Sequence, residues 1–325
     1  PHVGSALLLS LTEGYDFWGS HATSSRADES HFFMRTVGSG LDLFLTFHST
    51  LVQHEIFGHG ARLREFEAKN REYGIGLFRG WAGGKYEKTN QKTMIVSMGG
   101  IEGADIMGHN IDLRWLNSSV ITPVKAWNYL FSSGNQSFYI HMFQDLDFPG
   151  HDIASYIEDI NEYYSNSHSI DIAKIRDLGL LDYLNPYWYF SFYCIGQYVA
   201  NGVSTFRYPM ISLTDNLEYL PAMRLVLTPY GPEGQFVNYL KYKDFSGKIT
   251  FNYGKTNNKK SYAFGLHSNP FLLGNYLLLG SQVALWSQPE ITLEDSPKNS
   301  SNKIGFLINL KPAIRVKNNF HINFH

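Results

Sequence analysis

The hydrophobic pattern of the chain changes period near Tyr230, and this change constrains the fold more than any other feature. Upstream, apolar residues recur at the three- and four-residue spacing of amphipathic helices. Downstream, apolar and polar residues alternate as in half-buried strands, and turn residues separate six runs: 235–243, 247–253, 261–268, 276–287, 303–311 and 313–324. The pattern predicts an α+β protein, with a mainly helical domain over 1–228 and an antiparallel β-meander over 229–325.

The last run, 313–324, has the most regular alternation. Its apolar residues share the even-numbered face, and the other face carries Arg315, Lys317, Asn319, His321 and Asn323. A register slip of one residue would expose the whole apolar set. We therefore predict that the even-numbered face is buried, against either protein or lipid.

The helical half is predicted to contain a long helix from Ser39 to about Asn70, followed by a glycine-rich strand or hairpin at 73–87. Residues 1–37 lack a clear period and predict a loop or a short strand. The uncharged stretch 183–206 is long enough to cross a membrane, but its proline and polar side chains favour a core helix. Further helices are predicted at 91–113, 152–164 and 170–184.

Composition favours a β-rich or membrane-proximal protein over a cytosolic enzyme. Charged residues make up 17% of the chain and aromatic residues 15%, whereas soluble domains average about 25% charged. The net charge of −2 gives no reason to expect a nucleic-acid partner. Cys194 is the only cysteine, so no intrachain disulfide can form. We expect a protein of the bacterial cell envelope, in the periplasm or at the outer membrane, whose signal peptide has been removed.

The candidate metal-ligating and catalytic residues cluster at residues 54–59, His-Glu-Ile-Phe-Gly-His. The two histidines are five apart, one more than in the zinc signature H-E-x-x-H. On a regular α-helix they would point roughly 140° apart and could not share a metal. A π-bulge, with its i→i+5 bonding, would return them to one face, and Gly58 would tolerate it. The spacing therefore predicts a helix distortion near Gly58.

The segment His-Glu-Ile-Phe-Gly-His-Gly resembles the H-E-x-x-G-H-G motif of the dipeptidyl-peptidase III family, a gluzincin group with the same extra residue. The resemblance covers about ten residues. It implies that His54 and His59 bind Zn²⁺, that Glu55 is the general base, and that a glutamate on a later helix is the third ligand.

Glu102, in the sequence Gly-Gly-Ile-Glu-Gly-Ala-Asp, is the candidate third ligand. On a helix it would share a face with Asp105 and His109, so those two residues could orient the ligand histidines as outer-shell groups. Asp105 or His109 as the ligand itself is the open alternative.

This ligand set predicts a zinc-dependent metallopeptidase acting on a peptide or protein substrate. The strand at 74–82 could hold an extended peptide, and His151 or Tyr156 could stabilise the transition state. One alternative is a catalytically idle zincin-like scaffold in an outer-membrane or secretion-system assembly. Another is a metal-binding module without hydrolysis.

Overall fold

The computed structural model describes residues 2–23, 31–142, 151–164, 170–256, 259–273, 277–289, 302–317 and 320–323. Its helical elements are α1 (His2–Thr23), α2 (His31–Val52), a π-helical turn (Gln53–His59), α3 (Gly60–Glu65), α4 (Asn90–Ser118), α5 (Pro123–Met142), α6 (Asp152–Tyr163), α7 (Ile172–Gly179), a 3₁₀ turn (Leu180–Leu184) and α8 (Pro186–Asn201).

The described strands form three sheets. β1 (Lys69–Ile75) pairs with β2 (Gly80–Lys85), and β3 (Val120–Ile121) pairs with β4 (Phe206–Arg207). The third is an eight-stranded antiparallel meander in chain order: β5 (Ile211–Thr214), β6 (Leu217–Thr228), β7 (Gly231–Tyr242), β8 (Phe245–Thr256), β9 (Lys259–Leu273), β10 (Leu277–Pro289), β11 (Asn302–Lys317) and β12 (Phe320–Asn323). The predicted α+β class, helices followed by a meander, is confirmed.

The meander departs from the predicted pattern at both ends. It begins at Ile211, so β5 and β6 lie upstream of the boundary predicted at residue 228. At the other end β11 continues to Lys317, through the break predicted near residue 312, and only β12 follows. Pro312 lies inside β11, paired with Leu279. The burial predicted for the even-numbered face of 314–324 falls outside the side chains that the structure describes.

Within 1–37 the described residues, 2–23 and 31–37, are helical, so the loop or short strand predicted there is wrong. The buried residues described in α1 have helical spacing, but two of the five, Ser5 and Thr12, are polar and a third is Gly4. Asn110 donates a hydrogen bond to Ser5 over 2.8 Å, and Asn128 donates one to Thr12 over 3.2 Å. A stripe with only two large apolar residues gives a weak hydrophobic period, which explains why the pattern misses this helix.

Helix α4 lies between the π-helical turn and the meander. Its apolar residues Met107, Ile111 and Trp115 are fully buried and belong to a cluster that also contains Tyr187 of α8 and Tyr239 of β7. A second cluster joins the start of α4 to α6 and to Leu225 and Leu227 of β6. The core helix predicted within 183–206 corresponds to α8. In the described ranges, no helix is both long and apolar enough to cross a membrane.

Candidate metal centre

The π-helical turn joins α2 to α3 without a break and contains the whole His-Glu-x-x-x-His segment. Each of its wide turns holds more residues than an α-turn, which removes the angular offset of a five-residue spacing. The Nε2 atoms of His54 and His59 accordingly lie 3.2 Å apart. The distortion predicted near Gly58 is confirmed.

Glycines let α4 approach this turn closely. A Cβ on Gly58 would lie 2.4 Å from the Gly99 carbonyl oxygen, and a Cβ on Gly103 would lie 2.8 Å from Gly58 Cα. Neither position can carry a side chain without moving a backbone. The Gln53 side chain donates a hydrogen bond to the Gly103 carbonyl over 2.9 Å, which ties the two elements together.

Asp152, the first residue of α6, faces both histidines. Its Oδ2 lies 2.9 Å from His54 Nε2 and its Oδ1 lies 3.3 Å from His59 Nε2. His151 caps the helix by accepting a hydrogen bond from the Ala154 amide, which fixes the backbone next to the carboxylate. His54, His59 and Asp152 are all buried, and one donor atom from each lies within 4.8 Å of the others.

The structure corrects the third ligand predicted from sequence. Gly100 is the residue of α4 that faces the histidines, and Glu102, two residues on, is turned about 200° from it. Glu102 pairs instead with Arg62 of α3, with its Oε2 3.1 Å from Nε and 2.5 Å from Nη2. Asp152 stands in the place predicted for Glu102.

Asp105 and His109, predicted as outer-shell groups or rival ligands, face the meander. Asp105 forms a part-buried ion pair with Arg224 of β6, and His109 contacts the ammonium of Lys248 on β8. Asp112, one turn further along α4, accepts a hydrogen bond from Tyr239 over 2.6 Å. These three polar residues join α4 to the sheet and do not reach the histidines.

The three donor groups fit a tetrahedral metal ion. With metal–ligand bonds near 2.0–2.1 Å, tetrahedral donors are separated by about 3.3 Å. The two Nε2 atoms are 3.2 Å apart, and each has one oxygen of Asp152 at a similar distance, Oδ2 2.9 Å from His54 and Oδ1 3.3 Å from His59. A Cβ on Gly100 would lie 2.3 Å from His54 Nε2 and 2.4 Å from His59 Nε2. The missing side chain thus leaves the donor atoms uncovered on the α4 side, and the group can hold a metal ion.

Outer contacts orient His59 and tune its charge. Its Nδ1 donates to the Val96 carbonyl over 2.6 Å, which directs Nε2 toward Asp152. Burial opposes protonation, but the charge of Asp152 outweighs it and raises the pKa of His59 to about 9. Burial likewise opposes the charge of Asp152, yet the histidines hold the pKa of its carboxyl below its usual value.

Glu55 lies next to the donor group and is buried, with 5% of its surface exposed. Burial raises the pKa of its carboxyl, and the nearby His54 partly offsets that rise. Strand β2 covers it closely, since a Cβ on Gly80 would lie 2.8 Å from Glu55 Oε1. A glycine there lets the backbone of β2 run alongside the carboxyl.

Tyr139 of α5 is the aromatic residue that completes the surroundings of the donor group. Its ring stacks on His54 at 5.9 Å with an interplanar angle of 7°. Burial, Asp152 and Glu55 together raise the pKa of its phenol. The residues predicted for transition-state stabilisation have other roles: His151 caps α6, and Tyr156 is fully buried and donates to the Thr228 carbonyl.

Comparison with protein families, with characterised proteins and with solved structures finds no match to this chain. The resemblance of His54–Gly60 to the dipeptidyl-peptidase III motif therefore stays a prediction.

Proposed function

We propose that this chain is a zinc-dependent peptidase whose metal is held by His54, His59 and Asp152. The observation that carries the proposal is the π-helical turn. It places the two histidines against one buried carboxylate and keeps Glu55, a potential base, beside them. Two histidines and one carboxylate leave the fourth position of a tetrahedral zinc ion for water, as in catalytic zinc sites.

Zinc in this site would supply a Lewis acid that polarises a carbonyl and lowers the pKa of water. Glu55 would take a proton from the attacking water and return it to the leaving amine, the usual work of a general base and acid. Its burial between the π-helical turn and β2 keeps bulk water from the carboxyl.

Tyr139 is the donor we propose for the oxyanion that forms during hydrolysis. Its raised pKa keeps the phenol protonated at neutral pH, so the hydroxyl can donate a hydrogen bond. The proximity of its ring to His54 and the charge effects of Asp152 and Glu55 support this role.

An extended peptide is the substrate class that the surroundings favour. Among the described residues β2 pairs with β1 alone, so one edge of β2 has no strand partner. A peptide could add to that edge through main-chain hydrogen bonds next to Glu55. Leu77, Phe78 and Trp81 of the β1–β2 hairpin are exposed, which favours apolar side chains in the substrate.

Glu55→Gln tests the proposal. We expect the variant to keep stoichiometric zinc, measured by elemental analysis, and to lose hydrolysis of a peptide library, because only proton transfer is removed. Glu65→Gln, an exposed carboxylate beside Arg62, is the matched control and should keep both properties.

A wild-type protein that binds zinc stoichiometrically but cleaves no peptide would contradict the proposed peptidase activity. The alternative would then be an idle scaffold within an outer-membrane or secretion-system assembly. We propose a bacterial envelope location in either case, supported by the low content of charged residues, 17%.

A further inference from the structure

The face of β7–β11 that points away from α4, called here the outer face, is apolar and exposed. Directly opposed residues of antiparallel strands share a face, so the register arranges the side chains in rows. One row reads Phe236, Phe251, Phe264, Leu285 and Phe306, and the next reads Asn238, Ile249, Leu266, Val283 and Ile308. Exposure in the first row runs from 37% at Phe236 to 75% at Phe306.

The opposite face packs toward α4 through β7, β8 and β9. On β7 it carries the buried Val237 and Tyr239, but on β8 and β9 its buried side chains are polar: Lys248, Ser246, Thr250, Ser261 and Asn269. Asn269 donates to the Leu113 carbonyl of α4 over 2.8 Å, and Lys248 contacts His109 of the same helix. Along β8 and β9 the sheet therefore buries a polar face and exposes an apolar one.

This arrangement is the reverse of a half-solvated antiparallel sheet in water, which buries the apolar face. Strands in contact with lipid alternate in the reverse sense, with apolar residues outward. The strands are also long enough for such an environment. β8, β9, β10 and β11 contain 12, 15, 13 and 16 residues, whereas a tilted strand crosses the hydrocarbon with about 9–11.

Among the described side chains, the charged residues of the outer face lie at the β8–β9 hairpin end. From that end inward, the order of residue types suits a membrane interface. Beyond the phenylalanine row lie Tyr253 and Tyr262, opposed and about half exposed, and beyond them Lys255 is directly opposite Lys260. Two opposed lysines repel each other unless an anion lies between them. Lipid phosphates supply that anion, and tyrosines are enriched next to them at the membrane interface.

We propose that the outer face lies against the acyl chains of a lipid bilayer, with Lys255 and Lys260 at the headgroups. The rows of lysine, tyrosine, phenylalanine and aliphatic residues then follow the polarity of the bilayer from its surface inward. This inference does not rest on the metal centre, and it stands or falls independently of peptidase activity.

Nitroxide scanning along β11 tests the proposal. The background is the full chain with Cys194→Ala, and single cysteines replace residues 303–311 one at a time. The protein is placed in vesicles of phosphatidylethanolamine and phosphatidylglycerol, and collisions with oxygen and with a water-soluble nickel chelate are measured. A label at Lys243, in the β7–β8 turn, is the reference for water.

We expect the even-numbered positions, Ile304 to Leu310, to favour oxygen over nickel several-fold relative to Lys243, alternating with the odd positions. Nickel access at the even positions equal to that at Lys243 would overturn the proposal, because the face would be in water. Protection from both reagents would also overturn it, because the partner would be a protein, such as a second copy of the chain.

A vesicle partition measurement needs no labelled variant. The wild-type chain should float with vesicles that contain phosphatidylglycerol. The double variant Lys255→Gln, Lys260→Gln should partition about thirty-fold more weakly, given about 1 kcal/mol per lysine at an anionic surface. Lys243→Gln is the control and should match wild type. Recovery of the wild type in the unbound fraction, or no loss in the double variant, would contradict the assignment.

Discussion

His54 and His59 are five positions apart in the sequence, yet their Nε2 atoms lie 3.2 Å apart because the helix between them widens into a π-turn. Two requirements meet at this turn. The histidines must share a face, and α4 must come close enough for Gly100 to lie directly against them. A side chain on either glycine of this contact, Gly58 or Gly100, would push the two elements apart.

Gly100→Ala should therefore abolish zinc binding. Its Cβ would lie within 2.4 Å of both Nε2 atoms, in the space that a shared metal needs. Zinc content after dialysis is the measurement. Gly40→Ala in α2, where a Cβ meets nothing within 4 Å, is the matched helical control and should keep zinc with stability unchanged or about 1 kcal/mol higher. Full zinc occupancy in Gly100→Ala would show that the metal, if any, lies elsewhere.

Asp152→Asn and Glu102→Gln distinguish the third ligand proposed from the structure from the one predicted from sequence. Removing Asp152 deletes a donor, so zinc affinity should fall by more than the 10- to 100-fold typical of an outer-shell loss. Removing the charge of Glu102 breaks only its half-exposed pair with Arg62, and stability should change by about 1 kcal/mol or less. Competition with a chromogenic chelator measures both affinities. The opposite ranking would restore Glu102 as the ligand.

The sequence predicts the relation between site residues that are close together in the chain, but not between those that are far apart. The relation of His54, Glu55 and His59 is local, so a counting argument on one helix is enough to predict the distortion near Gly58. Asp152 lies 98 residues after His54, and its approach depends on how α6 packs on α4. No spacing rule covers such a contact. The prediction of Glu102 as a ligand fails for another reason. Glu102 does lie on a helix as predicted, but the face of α4 that meets His54 and His59 carries Gly100.

The same distinction applies to the fold. Alternation is most regular in β8 and β9, which each have one face of mainly polar or small side chains, whichever side is buried. Alternation cannot tell which face is inside, and here the polar one is, with Lys248 and Thr250 buried and Phe251 exposed. Helix α1 escapes prediction because Ser5 and Thr12 interrupt its buried stripe, and their partners, Asn110 and Asn128, are distant in sequence.

Tyr139→Phe should lower kcat by about 100-fold with little change in KM, because a donor to the oxyanion acts in the transition state and not in substrate binding. Zinc content and thermal stability should stay near wild type, since the ring that stacks on His54 is kept. Steady-state kinetics on the library peptide that the wild type cleaves fastest measures the separate effects on kcat and KM. An unchanged kcat would remove Tyr139 from the mechanism and leave the metal site intact.

Lys248 should make stability depend on pH. Burial lowers the pKa of its ammonium to about 7 in the folded protein, against about 10.4 in the unfolded chain. Between these values the unfolded state binds more protons, so Lys248 alone makes stability rise with pH from about 7 to about 10, by up to 1.4 kcal/mol per unit. His59, with a folded pKa raised to about 9, contributes the opposite slope below pH 9 in metal-free protein. The contribution of Lys248 is therefore read as a difference: denaturant unfolding at pH 7, 8 and 9 should give a stability slope more positive in wild type and in the exposed control Lys174→Met than in Lys248→Met. An equal slope in all three proteins would assign the dependence to other groups.

Anomalous diffraction at the zinc edge, on crystals grown with zinc, tests the metal centre most directly. We predict one peak about 2.0–2.1 Å from Nε2 of His54 and of His59 and about 2.0–2.2 Å from a carboxylate oxygen of Asp152. The Glu102–Arg62 pair should be undisturbed. No peak at the histidines in zinc-saturated crystals, or a peak coordinated by Glu102 in place of Asp152, would contradict the account.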